Sequence, residues 1–478
     1  MFVGRQNELE TLARLWRKGS ASLVVCSGRR RIGKSTLIEE FAARSKCRFV
    51  EIVGLAPDAK MNNEKQLANF MGSLPSSGRR PPQTVADWPA AFKALSKAIP
   101  RSGRTVVFLD EISWMGGYDE TFAAYLKNAW DVDFSRRDNL VFVICGSVSA
   151  WIAANILNSR GFVGRISVNL KVDELPVGLC RSFWGRSADQ VATGEIVDML
   201  SVAGGVPKYL QEIDPALSTA DNIRNLCFLP EGYLFEDFDR IFTDVFSRTP
   251  HDKRKIIELL ADGPRSAKEI ATRLGYGRNG HLTAALSELK EAGFVTSDEG
   301  LNPATQKSVR EVRYRIRDNY VRFYLKCIAP RAAAIGRGLF RFRSLEQLPG
   351  WESLLGFQFE SLVANNLQTL TPLIGLGDVL VTSAAPYACL GRQKGSGVQV
   401  DLLLQTRKSV CVVEIKRRKR IDENVETQVQ EKIARLALPR EISVRKALVY
   451  DGELHPQIRE NGYFDFLISA DRLLGREL

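Results

Sequence analysis

The stretch Gly28-Arg29-Arg30-Arg31-Ile32-Gly33-Lys34-Ser35-Thr36 has the residue types and spacing needed to wrap a chain of phosphates. Bare backbone must do the wrapping: glycines at 28 and 33 let the chain turn tightly and aim N–H groups inward, and a helix starting near Lys34 adds its positive end. In a G-x-x-x-x-G-K-S loop of this kind Lys34 reaches the β and γ phosphates, and the hydroxyl of Ser35, followed by Thr36, holds Mg²⁺. Arg29, Arg30 and Arg31 have a weaker case for a role in the loop, a solvated basic rim being the other reading.

A second group of chemically capable residues is the acid pair Asp110-Glu111, which ends the apolar run Thr105-Val106-Val107-Phe108-Leu109. Such a run reads as a buried strand of a parallel sheet whose carboxyl end faces the nucleotide. Asp110 can then hold Mg²⁺ through water, and Glu111 can act as base on the water attacking the γ phosphate. Ser147, at the end of the run Leu140 to Cys145, is placed to sense the γ phosphate or equally to cap the next helix. Arg165 reads either as a charge stabiliser of the transferred phosphoryl group or as one half of a surface salt bridge.

A third group lies far along the chain. The strand-like runs Val398 to Leu404 and Ser409 to Lys416 are joined by a polar stretch, and a reversal near Arg407 sets Asp401 opposite, or one place from, Glu414. Glu414 and Lys416, two apart, point to one face. Two carboxylates and a lysine make a hard-cation site with a cationic partner for a water or a phosphate, and Glu360, on the helical run Phe357 to Val363, is the fourth member. The run Lys416-Arg417-Arg418-Lys419-Arg420 suits a phosphate backbone or is a solvated loop, and the following helix carries two glutamines, Gln428 and Gln430.

The elements that must position these groups can be read in order. The opening Phe2 to Leu9 is followed by a helical pattern through Leu12, Leu15 and Trp16, a segment expected beside the adenine; Ser22 to Cys26 predicts a strand, Leu37 to Ala42 a helix, and Arg48 to Val53 a second strand. The polar stretch from Ala56 to Gln83 predicts a surface insertion. From about Asp252, three short amphipathic helices lead into the strand Val312 to Arg317, the pattern of a winged helix-turn-helix. Arg310 belongs to its basic run, and Arg313, Arg315 and Arg317 share a strand face suited to phosphates, although such a module can also serve only to pack on an ATPase core.

Composition sets the outer bounds. The 478 residues carry a formal charge of +12, which points to a polyanion, nucleic acid before acidic membrane. Eight cysteines with no C-x-x-C pair read as reduced thiols in a cytoplasmic protein, and three histidines leave metal binding to carboxylates. No apolar run is long enough for a bilayer span and no leader is evident, so the expectation is a soluble intracellular protein.

Taken together, the Phe-Val-Gly-Arg-x-x-Glu-Leu opening, the phosphate loop, Leu109-Asp110-Glu111, Cys145-Gly146-Ser147, Gly164-Arg165 and Gly204-Gly205-Val206-Pro207 resemble the archaeal and bacterial branch of the STAND-type ATPases. That resemblance implies a nucleotide-controlled switch, closed with ADP and opened or assembled with ATP, with Pro207 near the nucleotide. The carboxyl-terminal set resembles the PD-(D/E)XK nucleases, which implies that Asp401 and Glu414 bind Mg²⁺, that Lys416 positions the attacking water, and that Glu360 supports the metal.

The expected fold class is therefore α/β: a P-loop NTPase with a parallel sheet over 1–175, a helical extension with the Gly-x-Pro segment over 176–250, a winged helix over 251–330, and a restriction-endonuclease-like α/β domain over 331–478. The expected function is an ATP-hydrolysing switch coupled to a Mg²⁺-dependent nuclease-like domain acting on nucleic acid, DNA before RNA, with a possible ATP-dependent homo-oligomer and no membrane partner. The alternative is an ATP-controlled DNA-binding regulator whose nuclease-like domain binds without cleaving.

Overall fold

The computed structural model describes residues 2–75, 84–147, 150–245, 250–276, 280–309, 311–389 and 397–476. Arg310 and residues 76–83 of the expected insertion lie outside the described residues. The chain divides into two compact units, Met1–Asp173 and Glu174–Leu478. The expected pieces 176–250, 251–330 and 331–478 thus all fall in the second unit.

The first unit is a parallel sheet in the order β2-β3-β4-β1-β5, formed by β1 (Ser22–Gly28), β2 (Arg48–Val53), β3 (Thr105–Asp110), β4 (Leu140–Ser147) and β5 (Ile166–Lys171). Strands covered on both faces read as continuous apolar runs, and β1, β3 and β4 are buried throughout. Alternate residues serve opposite cores. Val24 and Cys26 pack with α1 (Gln6–Leu15) and α2 (Lys34–Ser45), whereas Leu23 and Val25 share a core with α3 (Asn63–Gly72), α4 (Trp88–Ala98) and α6 (Phe122–Val132), a short α5 (Ile112–Met115) following β3.

One expectation is corrected here. The stretch from Ala56 is not wholly a surface insertion, because α3 buries Gln66, Leu67, Phe70 and Met71. Phe70 meets Trp88 edge-on at 5.5 Å between ring centroids, and Gln66 bonds both the N–H and the C=O of Leu55 at 3.0 and 2.9 Å. A polar sequence hides this helix because its apolar face is narrow.

The second unit begins with helices that include α7 (Thr193–Ala203). It continues with α8 (Pro250–Leu260), α9 (Ala267–Leu274) and α10 (Gly280–Glu291) and an antiparallel sheet in the order β6-β8-β7 from β6 (Arg265–Ser266), β7 (Val295–Asp298) and β8 (Arg313–Ile316). Ser266 and Glu269 form a capping box at the start of α9, satisfying two otherwise orphaned N–H groups. Next come α11 (Trp351–Asn365) and a mixed sheet in the order β13-β12-β11-β10-β9, built from β9 (Ser383–Cys389), β10 (Val398–Gln405), β11 (Ser409–Ile421), β12 (Ser443–Leu454) and β13 (Phe466–Ser469). β9, β10 and β11 are antiparallel neighbours, and β11, β12 and β13 are parallel. Between β11 and β12 runs α12 (Asn424–Leu436), whose Val425, Val429 and Leu436 join the core of this sheet.

A buried polar hub ties these parts into one unit. Gln358 on α11 donates to the carbonyls of Ser201 at 2.8 Å and Asn319 at 2.7 Å, and accepts from Arg322 at 2.7 Å. Arg322, only 1% exposed, also bonds Ser361 Oγ at 2.9 Å and the Ile316 carbonyl at 2.7 Å and covers the ring of Phe357. Burial pushes its guanidinium down to about 9. All eight cysteines are free thiols, and among the described residues no helix is long and apolar enough to cross a membrane.

Candidate functional site

The nucleotide loop leaves the carboxyl end of β1 and enters α2 at Lys34. Gly33 caps that helix with φ 81°, a left-handed conformation that disfavours side chains, while a Cβ on Gly28 would lie 2.2 Å from the Val172 carbonyl oxygen. Both glycines are thus required by geometry. Lys34 is buried, its Nζ donating to the Arg29 carbonyl at 2.9 Å, which lays the amine along the inside of the loop. Thr36 is exposed on α2.

Parallel pairing brings the other groups to the same edge. Ser35 Oγ donates to Asp110 Oδ2 at 2.6 Å, so a hydroxyl and a carboxylate oxygen converge. These are hard oxygen donors of the kind Mg²⁺ takes along with substrate phosphates, and the residues fit that ion. Glu111 follows with φ 48°, a strained backbone for a non-glycine residue, and caps α5. Its carboxyl is raised first by burial and then by Asp110, with Lys34, Arg30 and the backbone N–H of Ser147 pulling the other way. Ser147 is Gly28's partner in the β1–β4 register.

Three further residues, Gly54, Arg30 and Arg5, have roles at this edge that the sequence did not assign to them. A Cβ on Gly54 would lie 2.6 Å from the Glu111 carbonyl oxygen, and its N–H donates to the Asp110 carbonyl at 3.0 Å, so Gly54 fixes the acid pair from behind. Arg30 is more than a solvated rim: its Nη2 lies 3.9 Å from Glu111 Oε1, and its guanidinium covers Trp114 at 5.0 Å. Arg5, with φ 63°, donates to the Ile32 carbonyl at 3.1 Å and to the Asp173 carbonyl, bracing the loop.

Arg165 is not brought to this edge. It immediately precedes β5, whose Ile166 pairs with Leu23 near the start of β1, so it sits at the opposite end of the sheet from the loop, roughly 16 Å away at ~3.3 Å per strand residue. There it forms a two-pronged pair with Asp131 at 2.7 and 2.9 Å, and Asp131 also pairs with Lys127 at 2.8 Å. The Arg165 hydrogen bond holds the Asp131 carboxyl down to about 2. Of the two readings open for Arg165, the structure matches the salt bridge. Pro207 starts the Pro207–Leu210 helix of the second unit, after a tight approach at Gly205, where a Cβ would lie 2.2 Å from the Leu175 carbonyl oxygen.

The second cluster forms on β10 and β11. The antiparallel register Leu402↔Val413 sets Asp401 level with Glu414, and Asp401 Oδ2 accepts from the Ile415 N–H at 2.9 Å. Glu414 is fully buried. Lys416 Nζ donates to Glu414 Oε1 at 2.6 Å. Burial, then Glu414, raises the Asp401 carboxyl, with Lys432 and Lys416 opposing. Lys432, from α12, is the member the sequence reading missed: its Nζ lies 2.6 Å from Glu414 Oε2 and 3.7 Å from Asp401 Oδ1. An ammonium in contact with both acids marks one point that both can reach, so the donor set fits a cation there. Gln428 and Gln430 are exposed instead.

Glu360, on α11, feels Asp401 and Glu414 electrostatically, but among the described residues no three His, Cys, Asp or Glu side chains stand close enough to hold a metal together. Its expected support of a metal is therefore not a direct contact in this arrangement. Burial first, and Asp401 next, push its carboxyl up to about 7. A carboxyl that keeps its proton in the fold but loses it unfolded contributes stability that is full below its ordinary value and is lost as pH rises through about 7. Glu360's share of the stability lost between pH 5 and pH 8 is about 2 kcal/mol, and Asp198, also raised to about 7, adds to the same fall. Glu360→Gln should make that slope shallower in a thermal-melt series; an unchanged slope would remove Glu360 as a source.

The basic run after β11's acids divides. Arg417 is tied to Asp198 on α7, to Asp451 at 3.2 Å and to Glu352 at 3.8 Å, whereas Arg418, Lys419 and Arg420 are exposed. Burial outweighs Arg417 in setting Asp198, which is pushed up to about 7. The strand arginines of β8 are also used inside the unit. Arg315 is buried against Asp298 at 3.0 Å, and Arg313 bonds the Pro264 carbonyl at 3.1 Å and Glu269 at 3.3 Å, so neither lies on an open phosphate-binding face.

A parallel sheet with a G-x-x-x-x-G-K-S loop and an acid pair on its carboxyl edge is the arrangement of P-loop NTPases. Residues 2–213 match the family described as an ATPase domain predominantly from Archaea. An uncharacterized protein of Methanocaldococcus jannaschii is 24% identical over 421 residues, 87% of each chain. An uncharacterized ATP-binding protein of the same organism is 44% identical over 52 residues, 11% of this chain and 88% of its own. Among solved structures, the Walker-type ATPase of Pyrococcus abyssi is similar over 68% of this chain and 96% of its own, with 17% identity and a TM-score of 0.49.

Proposed function

We propose that the chain is an ATP-hydrolysing switch of STAND type that governs a Mg²⁺-dependent, nucleic-acid-cleaving site in its carboxyl-terminal half. The observation that carries the ATPase part is the 2.6 Å approach of Ser35 to Asp110 beside a loop whose Lys34 points inward, with Glu111 held next to them. Mg²⁺ bound between these oxygens would supply charge neutralisation for the phosphates; Glu111 would take the proton of the attacking water. Pro207 is proposed as the segment that answers to nucleotide state, and oligomerisation with ATP as the output. Glu111→Gln should keep ATP binding and lower turnover by about 10²–10⁴, read by titration and by phosphate release. Turnover at the wild-type rate would take the base role from Glu111.

The nuclease part is supported by Asp401 facing Glu414 with Lys416 at 2.6 Å on the same face. Asp401 and Glu414 would hold the cation, Lys416 would orient the water, and Glu360 would support them at one remove, as the carboxylate it becomes above about pH 7. The helices α8 to α10 and the β6-β8-β7 sheet support a winged-helix assignment, and the +12 charge favours nucleic acid, DNA before RNA, as partner. A second reading, a regulator that binds without cutting, has its own observation: Lys416 and Lys432 both pair with Glu414, and Lys432 also reaches Asp401 at 3.7 Å. Incubating plasmid and single-stranded DNA with Mg²⁺ or Mn²⁺, with and without ATP, separates the two readings.

A further inference from the structure

The strand face expected to meet DNA turns inward onto a cavity. A hollow of about 310 Å³ is lined by residues of β8, α11, β9 and β10. Arg315 lines it, 8% exposed, and Nη1 of this guanidinium has no hydrogen-bond partner among the described residues, while Nε and Nη2 are committed to Asp298 and to Asn365 at 3.3 Å. Asp401 and Glu360 line it as well, together with Arg313, the carboxylates of Asp262, Asp298 and Glu311, and the rings of Phe357 and Tyr387. Asp298 already balances the charge of Arg315, but a buried N–H left without an acceptor is costly unless a ligand oxygen completes it.

We propose that this cavity holds one unpaired nucleotide of a nucleic-acid strand, with a phosphate on Arg315, its base or sugar against Phe357 and Tyr387, and the adjoining phosphodiester at Asp401. The volume is at the small end of ligand sites and takes one nucleotide-sized group, whereas a duplex, whose major groove alone is about 12 Å wide, is excluded. Aromatic walls favour a splayed base without demanding a sequence. The substrate class is therefore single-stranded or end-frayed nucleic acid. The inference rests on reading Asp401 and Glu414 as the cleaving site.

The test measures binding in EDTA, so a chain that never cleaves still answers it, and cleavage with Mn²⁺ is scored separately. Fluorescein-labelled oligodeoxythymidine should bind the full-length wild type about tenfold or more tightly than a blunt hairpin duplex of equal charge. Arg315→Gln removes the donor, and Ala364→Phe, on the cavity wall, fills the space. Each should erase the single-strand preference while leaving duplex binding in place. Equal wild-type affinity for strand and duplex overturns the proposal whatever the variants do. So does an unchanged preference in an Ala364→Phe protein that melts like wild type.

Discussion

Lys34→Ala should weaken ATP binding at least about a hundredfold and leave the amino-terminal sheet folded. The size follows from what the amine does. Nζ, held at 2.9 Å from the Arg29 carbonyl, is positioned to exchange that neutral acceptor for phosphate oxygens, and each charge-assisted bond is worth roughly 1.5–3 kcal/mol. Losing two such bonds gives the predicted factor, at about 1.4 kcal/mol per decade. The fold should survive because Ile32, Leu37, Ile38 and Phe41, not the lysine, seat the loop and α2 on the sheet. Calorimetric titration with ATP checks the affinity and a thermal melt without nucleotide checks the fold. Undiminished affinity would mean that the loop is not the nucleotide site.

The nucleotide edge was legible in the sequence because its geometry is local. A loop of fixed length joins a strand to a helix, and strands buried on both faces announce themselves as unbroken apolar runs, as β1, β3 and β4 do. The same logic could have placed Arg165: a residue just before a parallel strand stands at the edge away from the nucleotide. Arg30 could not be read this way, since its approach to Glu111 depends on Trp114, which arrives from α5.

In the second unit, alternation correctly put Arg313 and Arg315 on one strand face but could not say that α11 and β9 close over it. Partner elements distant in sequence decided that, and Asp298 supplied the countercharge. Lys432 had a signal that went unused. Val425, Val429 and Leu436 set the inward face of α12, and Lys432, three residues after Val429 and four before Leu436, lies on it, a charge on an apolar stripe. Such a residue needs a buried anion, and the only acids already singled out on neighbouring strands were Asp401 and Glu414.

Asp401→Ala and Lys416→Ala should each lower metal-dependent cleavage by the order of 10²–10³ or more, for different reasons. Asp401→Ala would remove one of the two proposed oxygen donors; Lys432 remains paired with Glu414 at 2.6 Å, so the core of the unit should hold. Lys416→Ala leaves both carboxylates in place and should spare metal binding while slowing the step that needs an oriented water. Glu414 is the wrong first choice for substitution. Fully buried between two lysines, its loss strands both charges, and damage to folding would mimic damage to chemistry. The assay pairs each variant with Lys34→Ala, with ATP, ADP or neither, on plasmid and single-stranded DNA. Cleavage that disappears in Asp401→Ala and Lys416→Ala and changes with nucleotide only when Lys34 is present ties the two sites into one machine. Cleavage that persists in both variants belongs to another site or another protein. Wild-type protein that binds DNA in an ATP-dependent way and never cuts would turn the carboxyl-terminal acids into a lysine-neutralised binding surface.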